Sequence, residues 1–388
     1  MSIKKLRCLS ILESLPHDCV ERILERLDVD SLMRLKGVSK QWKSTIESPF
    51  FQRRQLTHRQ QSGNPDVLMV SLHPDDEDID HPIVESLSTL VLGSSSSVHI
   101  PTPWDMDNIR FFVSHNTCDG LACLYMYRKP GFVVNPTTRW YRPLPLCNLQ
   151  QLMFDLGDNF FHTFLDLHYV VSNLGFGKDK ITGTYKPVWL YNSSEIGLDN
   201  ATTCEVFDFS TNAWRSVSPA APCRIVAWPE PVCVDGSLHW FTECEETKIL
   251  SLDLHTEAFQ VVCNAPFANV RASDIVMCDL DNHLCVSEMK WPNQVIWSLN
   301  SANKTWHKMC SIDLTTISQW FRVHKCALMP LALFDGKKKK QKKLLFYARE
   351  LREALLELDL ETNTYDILFD NYSIGFPVCY FQSLISIS

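Results

Sequence analysis

Apolar positions along the chain follow two regimes, one of helical period before residue 50 and one of strand period after about residue 110. Val20, Ile23, Leu24 and Leu27 recur at i, i+3, i+4 and i+7, which is one face of an amphipathic helix. Pro16 precedes that run, where its fixed φ suits a helix start. Asp30 or Ser31 is placed to cap a second short helix carrying Leu32 and Leu35, and Gly37 breaks it. Ser39 opens a third helix, with Trp42 and Ile46 on one face and Pro49 at its end. Three short helices in about 40 residues bury too little apolar surface to stand alone comfortably. The stripe from Val20 to Leu27 is therefore expected to divide between a small core and a partner, which predicts a docking surface.

From about residue 110 the pattern becomes short apolar runs rich in β-branched and aromatic residues, such as Phe132-Val133-Val134 and Ile249-Leu250-Ser251-Leu252. A Thr or Asn followed three residues later by an aromatic recurs at Thr137/Trp140, Thr211/Trp214, Thr256/Phe259, Asn303/Trp306 and Thr362/Tyr365. Asp followed by Gly or Asn precedes four of these, at Asp119, Asp235, Asp281 and Asp335, with offsets of 18, 21, 22 and 27 residues. Two signals in phase define a four-stranded unit. The Asp-Gly turn joins an inner pair of strands, because it supplies the positive φ of a tight hairpin. The Thr-x-x-aromatic turn joins an outer pair, and its aromatic packs between neighbouring sheets. Such units cannot bury both faces singly and must stack radially. The expected architecture is three short helices followed by an all-β domain, a β-propeller of five to six blades, with Trp140, Trp214, Phe259, Trp306 and Tyr365 as equivalent structural positions. Five units are visible; strands near Leu87–Leu92 and Val378–Ile387 are expected to pair into a sixth that closes the ring and removes exposed edges. An irregular β-sandwich is the competing architecture.

Composition narrows the function classes. At 388 residues and 45% hydrophobic the chain has the apolar content of a globular protein. No run of about 18 apolar residues is present, and no small-residue cleavage site follows Lys4, Lys5 and Arg7, so neither a membrane span nor a secretory signal is expected. Fifteen cysteines without CxxC spacing read as reduced, buried thiols, and no metal site is expected. Residues 1–60 carry 12 Lys and Arg against 7 Asp and Glu, while the remainder carries 25 against 38. An acidic main body argues against nucleic acid as the principal partner. Residues 52–108 read as a polar transition, with Arg53, Arg54 and Arg59, an acidic loop from Asp75 to Asp80 and a serine run at 94–97. The Lys337–Lys343 run reads as a solvated hairpin loop, with a nuclear localisation signal as the alternative. His115-x-x-Cys118 falls at a strand start and reads as structural, and Trp240, Trp291, Trp297, Trp306 and Trp320 read as core packing ahead of a ligand pocket.

The stretch from Leu15-Pro16 through Ile23-Leu24, Ser31-Leu32 and Val38-Ser39-Lys40-Gln41-Trp42 to Ser48-Pro49-Phe50-Phe51 resembles an F-box, departing at Gly37, where many members carry Cys or Ala. Residues 118–124, 134–140, 206–215, 235–240 and 249–254 resemble the F-box-associated domain of plant F-box proteins, often called kelch-like, although the double glycine of a true kelch repeat is missing. The resemblance implies an F-box at 10–55, a linker at 56–108 of which part is free to join the propeller, and an associated propeller domain at 109–388. It implies the substrate-recognition subunit of an SCF-type ubiquitin ligase, intracellular in the cytoplasm, the nucleus or both. A Skp-family adaptor, and through it a cullin, is held by Leu15, Pro16, Val20, Ile23, Leu24, Leu27, Leu32, Val38 and Trp42, and the β domain captures a protein target. No catalytic residue, cofactor, metal, membrane or nucleic-acid partner is implied. A propeller scaffold outside any ligase and a propeller enzyme with a central-channel site are the alternatives. The polar linker implies that the two modules fold independently.

Overall fold

The computed structural model describes residues 16–71, 86–90, 97–100, 112–155, 174–196, 198, 201–227, 229–268, 270–318, 327–335, 342–350, 352–371 and 376–387. Leu15, the acidic run at 75–80, Trp320 and residues 337–341 lie outside them.

Helices α1 (His17–Leu24), α2 (Val29–Leu35) and α3 (Lys40–Glu47) occupy the region where helical period was read. The cap of α2 is Asp28, whose carboxylate accepts from the Ser31 amide at 2.7 Å, two to three residues before the expected Asp30 or Ser31. Ser39 caps α3 as expected, its Oγ accepting from the Trp42 amide at 3.1 Å. Pro49 both ends α3 and opens a fourth helix, α4 (Pro49–Ser62), with Ser48 accepting from the Phe51 amide. Only Phe51, Gln55 and Leu56 of α4 are buried, so its sequence carries almost no apolar period and reads as polar linker.

Six four-stranded antiparallel sheets follow. Five are built from consecutive strands within 112–143, 175–216, 232–264, 275–313 and 329–371; we number these the second to the sixth. The first sheet combines Asp66–Ser71, Ser86–Leu90 and Ser97–Ile100 with the last strand of the chain, Phe376–Tyr380. That last strand pairs with Asp66–Ser71, Leu68 lying opposite Val378, and not with the 87–92 segment expected to receive it. A strand that closes a ring must pair with whichever neighbour presents a free edge. Here Ser86–Leu90 already has both edges filled, by Asp66–Ser71 and Ser97–Ile100.

Six apolar clusters among the described residues lie one between each pair of neighbouring sheets, including the first and the sixth, where Val67 and Met69 meet Leu345, Tyr347 and Leu355. Sheets stacked this way around an axis form a closed propeller. Inner hairpin turns have left-handed backbone at Asp119-Gly120, Asp235-Gly236 and Asp281-Asn282, as the turn chemistry predicts. The third sheet lacks that dipeptide and turns instead through Asp179 to Gly183.

The five repeated aromatics sit at or next to the start of the outermost strand of their sheets and are half-buried. Three of them donate to backbone carbonyls of the preceding blade. Trp214 Nε1 reaches Pro145 O at 2.7 Å, Trp306 Nε1 reaches Asn264 O at 2.8 Å, and Tyr365 Oη reaches Asp313 O at 3.2 Å. Trp140 packs on the cluster between the second and third sheets, and Phe259 on the cluster between the third and fourth.

Candidate functional site

The helical module buries one set of apolar side chains and leaves another in solvent. Val20 and Leu24 of α1, Val29 and Leu32 of α2, Ile46 of α3 and Phe51 of α4 form its core, with Leu27, Leu35 and Trp42 packed at its edge. Polar ties close the module. Arg54 of α4 pairs with Glu21 at 3.2 Å and with Glu25, and Gln55 Nε2 donates to Leu27 O at 3.3 Å. Outside that core, Ile23 is 45% exposed and Phe50 66%, and Met33 and Val38 are likewise in solvent. Arg22, Arg26, Arg34, Lys40 and Lys43 are exposed on the same elements. Exposed aliphatic anchors beside cations suit a partner surface that is apolar at its centre and acidic at its rim.

The nine residues implied as adaptor contacts therefore divide. Pro16, Ile23 and Val38 are exposed; Leu27 and Trp42 are partly buried; Val20, Leu24 and Leu32 are core; Leu15 lies outside the described residues. Met33 and Phe50 were missed. Both directly adjoin a core residue in sequence, and the helical period of 3.6 turns such a neighbour outward.

The helical module sits at the end of the propeller that carries the inner and outer hairpin turns. Gln60, Gly63 and Pro65, at and after the end of α4, line a polar cavity of about 740 Å³ together with the inner-turn residues Asp281, Asn282 and Asp335. In its wall, Asp279 Oδ1 has no hydrogen-bond partner, and burial pushes this carboxyl up to about 6. His115, also lining it, lies with Nδ1 3.8 Å from Glu230 Oε2, and burial pushes the imidazole down to about 4. Contact with the Cys233 thiol, then burial, raises the Cys118 thiol. A depressed imidazole and a raised thiol are the reverse of an activated nucleophile pair. Among the described residues no three His, Cys, Asp or Glu side chains come together as metal ligands, and no helix is long and apolar enough to cross a membrane.

The opposite end holds the crossovers between sheets and the second-to-third strand loops. Buried amide side chains anchor it. Gln150 Nε2 donates to Met126 O at 2.6 Å and Lys129 O at 2.8 Å. Asn192 exchanges two bonds with the Ile225 backbone, and Gln294 two with Leu328. The crossover helix Asn148–Asp155 has its first amides held by the buried Glu205 carboxylate at 2.9 and 3.0 Å. Phe154 and Trp291 project from this end into solvent. Trp240 is buried between the third and fourth sheets, and Trp297 and Trp306 pack between the fourth and fifth. Trp291, expected in the core, lies instead in the two-residue turn between Lys290 and Asn293, where it is 48% exposed.

The chain matches the F-box domain over residues 12–54 and the F-box associated beta propeller domain over residues 83–387. It is 69% identical to the Arabidopsis thaliana F-box/LRR-repeat/kelch-repeat protein At1g09650, covering 99% of this chain and 100% of that one. It is 49% identical to the F-box protein At2g34280 of the same plant, over 97% and 100% of the two chains. With the F-box protein At5g10340, also of Arabidopsis thaliana, the identity is 51% over 97% and 86%.

Proposed function

Because the chain belongs to the family of F-box proteins with an F-box associated β-propeller, we propose that it is the substrate-recognition subunit of an SCF-type ubiquitin ligase. The helical module docks a Skp-family adaptor, and the propeller end remote from that module holds a protein target. The chain carries out no bond chemistry of its own. It raises the effective concentration of target lysines near the ubiquitin-charged partner.

The observation that carries the reading is the exposure of Ile23, Met33, Val38 and Phe50 on a module whose core packs without them. Exposed apolar anchors outside the core are what a docking surface requires, and a few such anchors usually dominate it. Target capture is assigned to the far end because the hairpin-turn end is occupied by α4, while the crossovers opposite are held rigid by Gln150, Asn192 and Gln294. Rigid loops on a fixed frame bind with less ordering cost.

The test is a double variant, Ile23→Asp with Val38→Asp, in the full chain. It is expected to lose at least 100-fold in affinity for a purified Skp-family adaptor while melting at the wild-type temperature. Wild-type affinity in that variant would overturn the docking assignment.

A further inference from the structure

The seven residues after the last strand do not trail off the propeller. Residues 381–387 cross from the inner edge of the first sheet to the helical module, alternating sides as an extended chain does. Leu384, 4% exposed, lies in the core of that module with Val20, Leu24, Val29, Leu32, Ile46 and Phe51. Every other member of that cluster comes from residues 20–51. The next residue, Ile385, faces the other way and joins the apolar cluster of the second and third sheets, which also takes in Leu56 of α4.

The strap is held along its length. Asn135, 1% exposed, donates from Nδ2 to Ser383 O at 3.0 Å and to Ile385 O at 2.8 Å. Thr117 Oγ1 donates to Cys379 O at 2.8 Å just before the strap begins. Gly120 lies so close beneath it that a Cβ there would stand 2.4 Å from Phe381 O. A buried donor such as Asn135 is costly to leave unpaired, so the strap position is specified by the propeller independently of the helices.

A module of four short helices has little core to lose. Its shared cluster takes one of its large buried side chains from the far terminus of the chain. We infer that the C-terminal strap completes the adaptor-docking module, so that this F-box is ordered for docking only in a chain whose propeller has closed. The strap follows directly on the ring-closing strand, so it reaches Val20 and Leu32 only after that strand has paired with Asp66–Ser71. A truncated or incompletely folded chain would then fail to engage the adaptor, and a complete one would hold its target end in a fixed orientation to the adaptor. The inference rests on the docking function proposed above for this module.

The experiment is amide hydrogen exchange on the full chain carrying Leu384→Asp, with the milder Leu384→Ala in parallel, followed by adaptor titration. Amides of α1, α2 and α3 are expected to exchange at least tenfold faster in Leu384→Asp, and measurably faster in Leu384→Ala. The fourth and fifth sheets should keep wild-type protection, and adaptor affinity should fall at least tenfold. A chain ending at Tyr380 should behave as Leu384→Asp does. Wild-type protection of α1–α3 in both point variants would overturn the inference, and so would unchanged adaptor affinity in Leu384→Asp. Exchange is read with no adaptor present. If wild-type chain itself failed to bind the adaptor, that would overturn the docking function and its coupling to the strap, while the exchange result would still decide the strap's part in the helical core.

Discussion

Trp214, Trp306 and Tyr365 each combine a half-buried ring with a hydrogen bond at or just past the end of the preceding blade's outer strand, so each joins two blades by two means. Removing the donor alone should cost about 1 kcal/mol. Removing the whole ring should cost about 3 kcal/mol, the low end for a large aromatic because these rings keep some solvent contact. Trp306→Phe and Trp306→Ala should therefore fall in that order in urea denaturation, with adaptor affinity unchanged in both. Asp279 makes a prediction of the opposite sign. Burial raises its carboxyl from an ordinary value of 3.8 to about 6. A raised carboxyl favours the folded state below its unfolded value, and that contribution is lost as pH rises through the folded value. Charged Asp279 thus destabilises the protein above about pH 6, on the order of 3 kcal/mol. Asp279→Asn should be more stable than wild type at pH 8, and the gain should vanish near pH 4. A difference independent of pH between 4 and 8 would show that burial of charge is not the cause.

The inner hairpins supply a comparison between elements built alike. Gly120 and Gly236 both have positive φ, 81° and 78°, so Ala at either costs about 1 kcal/mol through backbone strain. At Gly236 the new methyl meets the flexible Lys180 stem at 2.9 Å, whereas at Gly120 it meets the strap backbone at 2.4 Å. Gly120→Ala should therefore be the more damaging by about 2 kcal/mol, and thermal melting of the two variants checks it. These turns, and the outer turns carrying the repeated aromatics, were readable from the sequence because a tight turn is dictated by its own few residues. So were α1, through its apolar period, and α3, where capping and apolar period agree. Three features were not readable, each for a physical reason. In α4 only one turn's worth of side chains faces a core, which leaves no period to detect. The partner of the closing strand depends on which edge is left free after folding, which no local pattern encodes. Leu384 is a single apolar residue in a tail, and its packing against Leu24 and Val29 is a contact across more than 350 residues of chain.

At the scale of the molecule, α4 and the strap make the helical module and the propeller one packed body, contrary to the independent folding implied by a polar linker. Leu56 belongs to a propeller cluster, Leu384 to the helical one, and Arg59 reaches Asp66 of the first sheet at 3.9 Å. The exposed anchors of α1 and the following segment stand at one end, and the anchored crossovers stand at the other. Such a body suits a receptor that must hold a target at a set distance from a ligase. Ile23, Met33, Val38 and Phe50 are the docking surface proposed for a Skp-family adaptor. The most direct measurement is calorimetric titration of the full chain with that adaptor at several temperatures and two salt concentrations. A one-to-one complex is predicted, with a negative heat-capacity change from burial of the apolar anchors and an affinity that weakens modestly with salt as the cations around them are screened. No heat of binding from a chain that melts cooperatively, or binding with no heat-capacity change, would rule out an apolar docking surface at these residues.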